Sequence, residues 1–353
     1  AAVQVLALVT EAFNARGGIQ EFNRHWLTSL ALGPANRVEV LATRGGDYES
    51  SGLRQRSVKG RWRYLAMARQ ALTQQPPDLL LCGHLSLLPL AAWLAGRHSL
   101  PLWLQLHGIE AWQRPASLWR RPGLARVSLV TAVSRYTRRR FLSWSNLPEH
   151  RVRILPNTVG EDCFAEPATG RPPREVPDRY LLSVGRLDAQ ERYKGHDQVI
   201  RALSSVLQDQ PDLHYVIAGS GSDLGRLEAL AARCGVADRV VFLHAVTRAE
   251  LHFLYRHAEL FVLPSTGEGF GIVYLEALAC GCPVLGLGQD GSADPLSLAG
   301  GTFVASEDMA RSILKALRER TNRPADPAAV RERFGLPAFR AQVDALTAET
   351  MTQ

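Results

Sequence analysis

Twice along this chain a series of short apolar runs alternates with helix-compatible segments, and a proline-rich stretch separates the two series. Runs rich in Val, Leu and Ile recur at 3–9, 37–43, 79–83, 102–108, 129–134 and 152–156, then again at 180–184, 214–218, 239–243, 259–263, 283–287 and 302–305. Unbroken apolar runs of strand length with helices between them are what a parallel sheet covered on both faces requires. In the second series the helices are expected near 195–209, 223–234, 247–257, 272–280 and 307–320. Between the series, Glu166-Pro-Ala-Thr-Gly-Arg-Pro-Pro-Arg-Glu-Val-Pro177 holds four prolines and a glycine, which disfavour both helix and central strand. A chain of 353 residues divides naturally into two domains. The expectation is therefore an α/β protein with two doubly wound, Rossmann-like domains, 1–165 and 179–335, joined by a linker at 166–178. A final helix at 336–353 is expected to pack back on the first domain. Such a pair would bind ligands in a cleft between the carboxyl ends of its sheets.

Several function classes are excluded by simpler observations. With 46% apolar and 21% charged residues the chain is globular and not disordered. No apolar stretch approaches the roughly 20 residues that a spanning helix needs, so an integral membrane protein is not expected. Ala1–Val9 is apolar but lacks a basic leader, and reads as a first strand rather than a signal peptide. The five cysteines are odd in number and scattered, and Cys280-Gly-Cys282 is not a zinc or redox-pair spacing. They read as reduced core thiols of a cytosolic protein. Neither His-Glu-x-x-His nor Asp-x-Asp occurs, and His252 and His257 are five apart, on different faces of a helix, so no metal is expected. The net charge of +7 is uneven. Residues 1–170 carry 21 Lys and Arg against 11 Asp and Glu, a surplus of +10, while residues 171–353 carry 20 against 23, or −3.

The chemistry concentrates in Pro264-Ser-Thr-Gly-Glu268-Gly-Phe-Gly-Ile-Val-Tyr-Leu-Glu276, two carboxylates with seven residues between them around a glycine-rich turn. Glycines at 267, 269 and 271 let the backbone approach a ligand closely, and the apolar run from Ile272 reads as a helix opening on that turn. Turn amides and the helix dipole would face a phosphate, and Glu268 and Glu276 would accept hydrogen bonds from sugar and ribose hydroxyls. A nucleotide sugar has both kinds of group. Glu268 and Glu276 could equally be a helix-start carboxylate and an ordinary solvated one. Upstream, Ser183-Val-Gly-Arg186 ends a strand, and Lys194, one of only three lysines, follows eight residues after Arg186. Two cations there could clamp a diphosphate, Arg by its planar fork and Lys as a point charge, or could be a solvated basic turn. Gly17-Gly18 after the first strand offers a second backbone anion site. Ala218-Gly-Ser-Gly221 lacks the third glycine of a dinucleotide fingerprint and reads as a tight strand-to-helix turn. His107, at the exit of an apolar strand, could hydrogen-bond a sugar hydroxyl or the backbone of a reacting loop.

In this order the residues resemble the retaining glycosyltransferases of family 4, which have the GT-B fold. The resemblance runs from Gly17-Gly18 through His107-Gly108, Val133-Ser134, Leu155-Pro-Asn157, Val184-Gly-Arg186 and Lys194-Gly195 to Glu268–Ala277 and Gly281-Cys-Pro-Val. It implies that Arg186 and Lys194 hold the donor diphosphate and that Glu276 binds the ribose. Glu268, with the amides of Phe270 and Gly271, would hold the transferred sugar, and Gly269 and Ile272 would also belong to the donor-binding set. His107 would line the site beside that sugar, and the backbone near Val246 would meet the base. The family retains anomeric configuration and needs no metal. Two departures stand out: Pro156-Asn157-Thr-Val-Gly160 lacks the usual Gly-Val-Asp, and Ala245 replaces a common glycine. They bear on the choice of nucleotide.

The expected activity is thus transfer of a hexose from a nucleotide sugar, UDP-glucose first and GDP-mannose second, to a hydroxyl of a saccharide or lipid-linked glycan. An epimerase of the same architecture, or a saccharide-binding protein without catalysis, would share these features; epimerised sugar without any acceptor would reveal the first. No nucleic-acid partner is expected. The basic first half, with Arg and Trp interleaved in Gly60–Tyr64 and Trp112–Arg121, suggests peripheral contact with an anionic membrane at its inner face, although solvated Arg and buried Trp would give the same pattern.

Overall fold

The computed structural model describes residues 2–14, 17–33, 36–115, 123–165, 176–298 and 300–352. They form two compact units, the first from 1–158 with 336–353, the second from 159–335.

The first unit is built on an eight-stranded sheet with order β3-β4-β2-β1-β5-β6-β7-β8. Its strands are β1 (Gln4–Val9), β2 (Arg37–Ala42), β3 (Tyr48–Ser50), β4 (Leu53–Ser57), β5 (Leu79–Cys82), β6 (Leu102–Leu106), β7 (Leu129–Ala132) and β8 (Val152–Ile154). All pairs are parallel except β3 with β4. Six of these strands lie where the apolar runs put them, because a strand buried on both faces excludes polar side chains. The edge strand β3 and its neighbour β4 escaped the sequence reading because neither Tyr48-Glu-Ser50 nor Leu53-Arg-Gln-Arg-Ser57 has an apolar run. The final helix, Leu336–Met351, buries Phe339, Val343, Leu346 and Thr350 in this unit, with Phe339 edge-on to Phe22 at 5.7 Å.

The second unit has a six-stranded, all-parallel sheet with order β11-β10-β9-β12-β13-β14. The strands are β9 (Tyr180–Val184), β10 (His214–Ala218), β11 (Val240–Leu243), β12 (Leu260–Leu263), β13 (Val284–Gly286) and β14 (Thr302–Val304). The helices between them are His196–Asp209, Leu224–Arg233, Arg248–His257, Ile272–Ala279 and Met309–Glu319, each within two residues of its expected span. Thr247 and Glu250 close a reciprocal capping box on the third of them. An eight-residue helix, Pro327–Phe334, was not anticipated.

The expected domain boundary needs correction. Residues 159–165, expected in the first domain, belong to the second, where Val159 donates to Phe334 O at 3.3 Å and Asp162 and Glu161 pair with Arg248 and Arg331. The expected linker falls largely on 166–175, outside the described residues. Among the described residues no helix is long and apolar enough to cross a membrane.

Candidate functional site

In the second sheet the strand order reverses between β9 and β12, which lie side by side. Loops leaving the carboxyl ends of such a pair turn to opposite faces and open a crevice. Here they carry the two motifs singled out above, 185–195 after β9 and 264–271 after β12. The Arg186 turn is held by the next one: Gly185 N donates to Ala218 O at 3.1 Å, and Leu187 N donates to Ser220 O at 2.9 Å. A Cβ at Gly219 would lie 1.8 Å from Gly185 O, and one at Gly221 would lie 2.1 Å from Leu187 O. The Ala218–Gly221 turn therefore owes its glycines to close backbone packing.

Four charged side chains then follow in alternation. Arg186 pairs with Glu191, Lys194 Nζ is 4.0 Å from the other Glu191 oxygen, and the same Nζ is 3.4 Å from Glu268 Oε1. Arg186 is largely solvent-exposed, whereas Lys194, Glu191 and Glu268 are mostly enclosed. Glu191 was missed by sequence reasoning, since nothing in Asp188–Lys194 distinguishes it from a solvated carboxylate. Its role is to hold both cations in place, and its Oε2 makes no hydrogen bond. A diphosphate pairs with guanidinium and ammonium groups as a carboxylate does, so it could replace Glu191 as the partner of Arg186 and Lys194.

Glu268 is fixed from two further sides. Ser265 Oγ donates to its Oε1 at 3.1 Å, and its backbone N–H donates to Asp290 Oδ2 at 2.7 Å. Asp290 also accepts from Ser292 N at 2.9 Å and Ser292 Oγ at 2.6 Å, is buried, and has its pKa raised by that burial. It too was missed; Gln289-Asp-Gly-Ser292 reads as an ordinary turn. Gly291 permits the approach, since its Cβ would lie 1.8 Å from Gly269 O.

The glycines of the β12 loop serve separate ends. A Cβ at Gly267 would strike the Tyr193 ring at 2.5 Å, and Gly271 has φ 84°, a left-handed conformation that starts the helix Ile272–Ala279. Gly269 and Ile272 are partly exposed, but the Phe270 side chain is buried, 6.0 Å from the Phe334 ring, so only its backbone is available to a ligand. Glu276, one turn into the helix, accepts from Tyr255 OH at 3.0 Å. The seven-residue gap thus puts one carboxylate on the loop and the other on the helix. Val246 is half-buried immediately before the Thr247 cap.

The remaining expected residues belong to the first unit. Gly17 caps the helix Gly18–Ala31 with φ 145°, and both glycines are exposed. His107 follows β6; its Nε2 lies 2.8 Å from Gly83 O, at the carboxyl end of β5. The carbonyl can only accept, so Nε2 carries the proton and Nδ1 does not. Burial lowers the His107 pKa to about 4, keeping the ring neutral. Glu110 Oε1 accepts its backbone N–H at 2.6 Å. Trp112 donates to Thr137 Oγ1 at 3.0 Å and is packed, whereas Trp62 is 83% exposed. Residues 116–122 of the second Arg-Trp segment lie outside the described residues.

Among the described residues one group has the makings of a metal site: Asp162, Cys163 and His252. Arg248 already occupies the Asp162 carboxylate, and Cys163 is buried against Cys280, consistent with packing.

Comparison with known proteins bears on the family and the fold. The family model for glycosyl transferases group 1 matches residues 170–333, and that for glycosyltransferase family 4 matches 25–162. A GDP-mannose-dependent alpha-(1-6)-phosphatidylinositol monomannoside mannosyltransferase of Mycolicibacterium smegmatis is 38% identical over 194 residues, 51% of this chain and 50% of that protein. A D-inositol 3-phosphate glycosyltransferase of Mycobacterium sp. (strain JLS) is 38% identical over 133 residues, 36% of this chain and 28% of its own length. The chain thus spans half or less of the length of these curated relatives. Anabaena HepE, crystallised with UDP-glucose, superimposes with a TM-score of 0.77 at 18% identity, covering 98% of this chain and 99% of that one.

Proposed function

Since the chain belongs to the group 1 and family 4 glycosyltransferases, which share the GT-B fold, we propose that it transfers a hexose from a nucleotide sugar to a hydroxyl acceptor, retaining anomeric configuration and using no metal ion. The observation that carries this reading is the meeting of Arg186, Lys194 and Glu268 at the β9–β12 switch point, beside the amino end of Ile272–Ala279. Two cations and helix amides suit a diphosphate whose charge grows as the bond to the anomeric carbon breaks, and they supply the stabilisation that a metal otherwise would. Glu268 would take sugar hydroxyls and Glu276 the ribose. In the first unit, His107 presents a neutral ring with Nδ1 available as an acceptor for a hydroxyl proton.

Of the two expected donors, GDP-mannose now takes first place, because a relative that matches half the chain at 38% identity is named as GDP-mannose-dependent. The UDP-glucose complex shares the fold alone. The same relative's name includes a phosphatidylinositol glycolipid, which favours a lipid-linked acceptor over a free saccharide. Exposed Trp62, with Lys59, Arg61 and Arg63 exposed around it, gives the first unit a surface suited to anionic headgroups.

The test is a panel of nucleotide sugars with the purified protein, scored by nucleotide released in slow donor hydrolysis. GDP-mannose is expected to be turned over, in excess chelator as well as without it. Proton NMR of a transfer product is expected to show the donor's anomeric configuration. Turnover of UDP-hexoses alone would reverse the donor assignment, and epimerised sugar without acceptor would replace transfer by epimerisation.

A further inference from the structure

A helix lying on a parallel sheet ordinarily covers apolar side chains, but the helix Arg61–Gln74 in the first unit does so along only part of its length. Tyr64, Ala68 and Leu72, spaced by four, are buried, and Tyr64 OH donates to Leu41 O at 2.7 Å. Beneath the carboxyl half of the helix the sheet becomes charged. Leu6 of β1 is in register with Glu39 of β2, Glu39 with Arg54 of β4, and Arg54 with Glu49 of β3. Cross-strand partners share a face, so this row, with Arg37 and Arg56 two residues away on their strands, forms one charged face. A cavity of about 390 Å³ lies there, lined by these side chains below and by Met67, Gln70 and Gln74 above.

The cavity is polar and carries more positive than negative charge: Arg37, Arg54 and Arg56 against Glu39 and Glu49, with no charged residue from the helix lining it. Only Arg56 has a close partner, Glu39 Oε1 at 3.5 Å, and its buried Nε still makes no hydrogen bond. Among the described residues Arg37 and Arg54 have neither an ion pair nor a side-chain hydrogen bond, and both are exposed. Its volume falls in the roughly 300–1,000 Å³ range of small-ligand sites. Among the described residues no aromatic side chain lines it, so they offer nothing for a base to stack on. Gln4 and Arg37 begin their strands, so the cavity is at the amino edge of the sheet, the end opposite the Gly17 and His107 loops.

We propose that this cavity is a second ligand site, separate from the one at β9–β12, and that it takes a phosphorylated monosaccharide. Arg37 and Arg54 would fork onto the phosphate, and Glu39, Gln70 and Gln74 would take the ring hydroxyls.

The test is calorimetric titration of the full chain with glucose 6-phosphate, which does not depend on transferase activity. Saturable binding is expected, with glucose alone silent and inorganic phosphate weaker. Arg37→Gln and Arg54→Gln, both on exposed side chains, should each weaken binding roughly tenfold while leaving the melting temperature and donor hydrolysis unchanged. No binding at millimolar ligand, unchanged affinity in both variants, or displacement by a nucleoside diphosphate would overturn the site. Phosphate binding as tightly as the sugar phosphate would overturn its saccharide component.

Discussion

Asp290 accepts the backbone N–H of Glu268 at 2.7 Å, so a buried carboxylate that itself need not touch a ligand fixes the peptide of a residue assigned to the transferred sugar. Asp290→Ala leaves that N–H and both Ser292 donors without their partner, each costing about 1–3 kcal/mol if left unsatisfied. The expected result is a turnover loss of tenfold or more with nucleoside diphosphate affinity nearly intact. Steady-state kinetics and calorimetry would check it, and parent-like turnover would remove Asp290 from the site.

Arg186→Ala and Lys194→Ala are each expected to lower turnover at least thirtyfold, since a desolvated diphosphate charge left unpaired costs about 2–5 kcal/mol. Arg186 is exposed, so its loss should leave thermal stability unchanged. Lys194 sits between Glu191 and Glu268, and its loss should lower the melting temperature as well. Transfer within threefold of the parent in both variants would refute the diphosphate assignment.

Glu276→Ala is expected to weaken binding of the free nucleoside diphosphate, and Glu268→Ala to spare it while impairing turnover of intact donor. Equal losses of nucleoside diphosphate affinity would collapse the two roles into one.

His107 and His196 both have pKa values lowered to about 4, chiefly by burial. Between pH 6.5 and 4 the unfolded chain binds protons that the folded chain refuses, so the stability these groups allow above pH 6.5 is lost as pH falls through that window. Melting temperatures at pH 7.5, 6 and 5 should decline, and the decline should be shallower in His196→Gln. A flat profile would contradict the burial of both rings.

Trp62, Arg61 and Arg63 are expected to mediate weak, salt-sensitive docking on anionic membranes, each basic side chain contributing on the order of 1 kcal/mol. The protein should float with anionic vesicles at low salt, detach at about 0.5 M salt, and ignore neutral vesicles. The triple alanine variant should not float. Failure of the parent to float would favour a soluble saccharide acceptor.

By itself the sequence determined the elements whose information is local. Apolar runs such as Leu79–Cys82 and Leu260–Leu263 are legible because strands buried on both faces admit almost nothing polar, and Gly267-Glu-Gly-Phe-Gly271 because a turn of that geometry admits little but glycine. Of the residues proposed for the donor site, Arg186 was singled out because it follows a recognisable strand, Lys194 because it precedes a helix, and Glu268 and Glu276 because they flank a glycine-rich turn and the first turn of the helix after it. What tertiary structure alone decided was partnership. Lys194 meets Glu268 across 74 positions and Asp290 meets Glu268 across 22, and neither separation has a period that a sequence could display. The transfer of residues 159–165 to the second unit, and the charged face that β2 and β4 share, depend likewise on which strands become neighbours. That choice is settled by burial summed over a whole sheet, a quantity that no local stretch of residues contains.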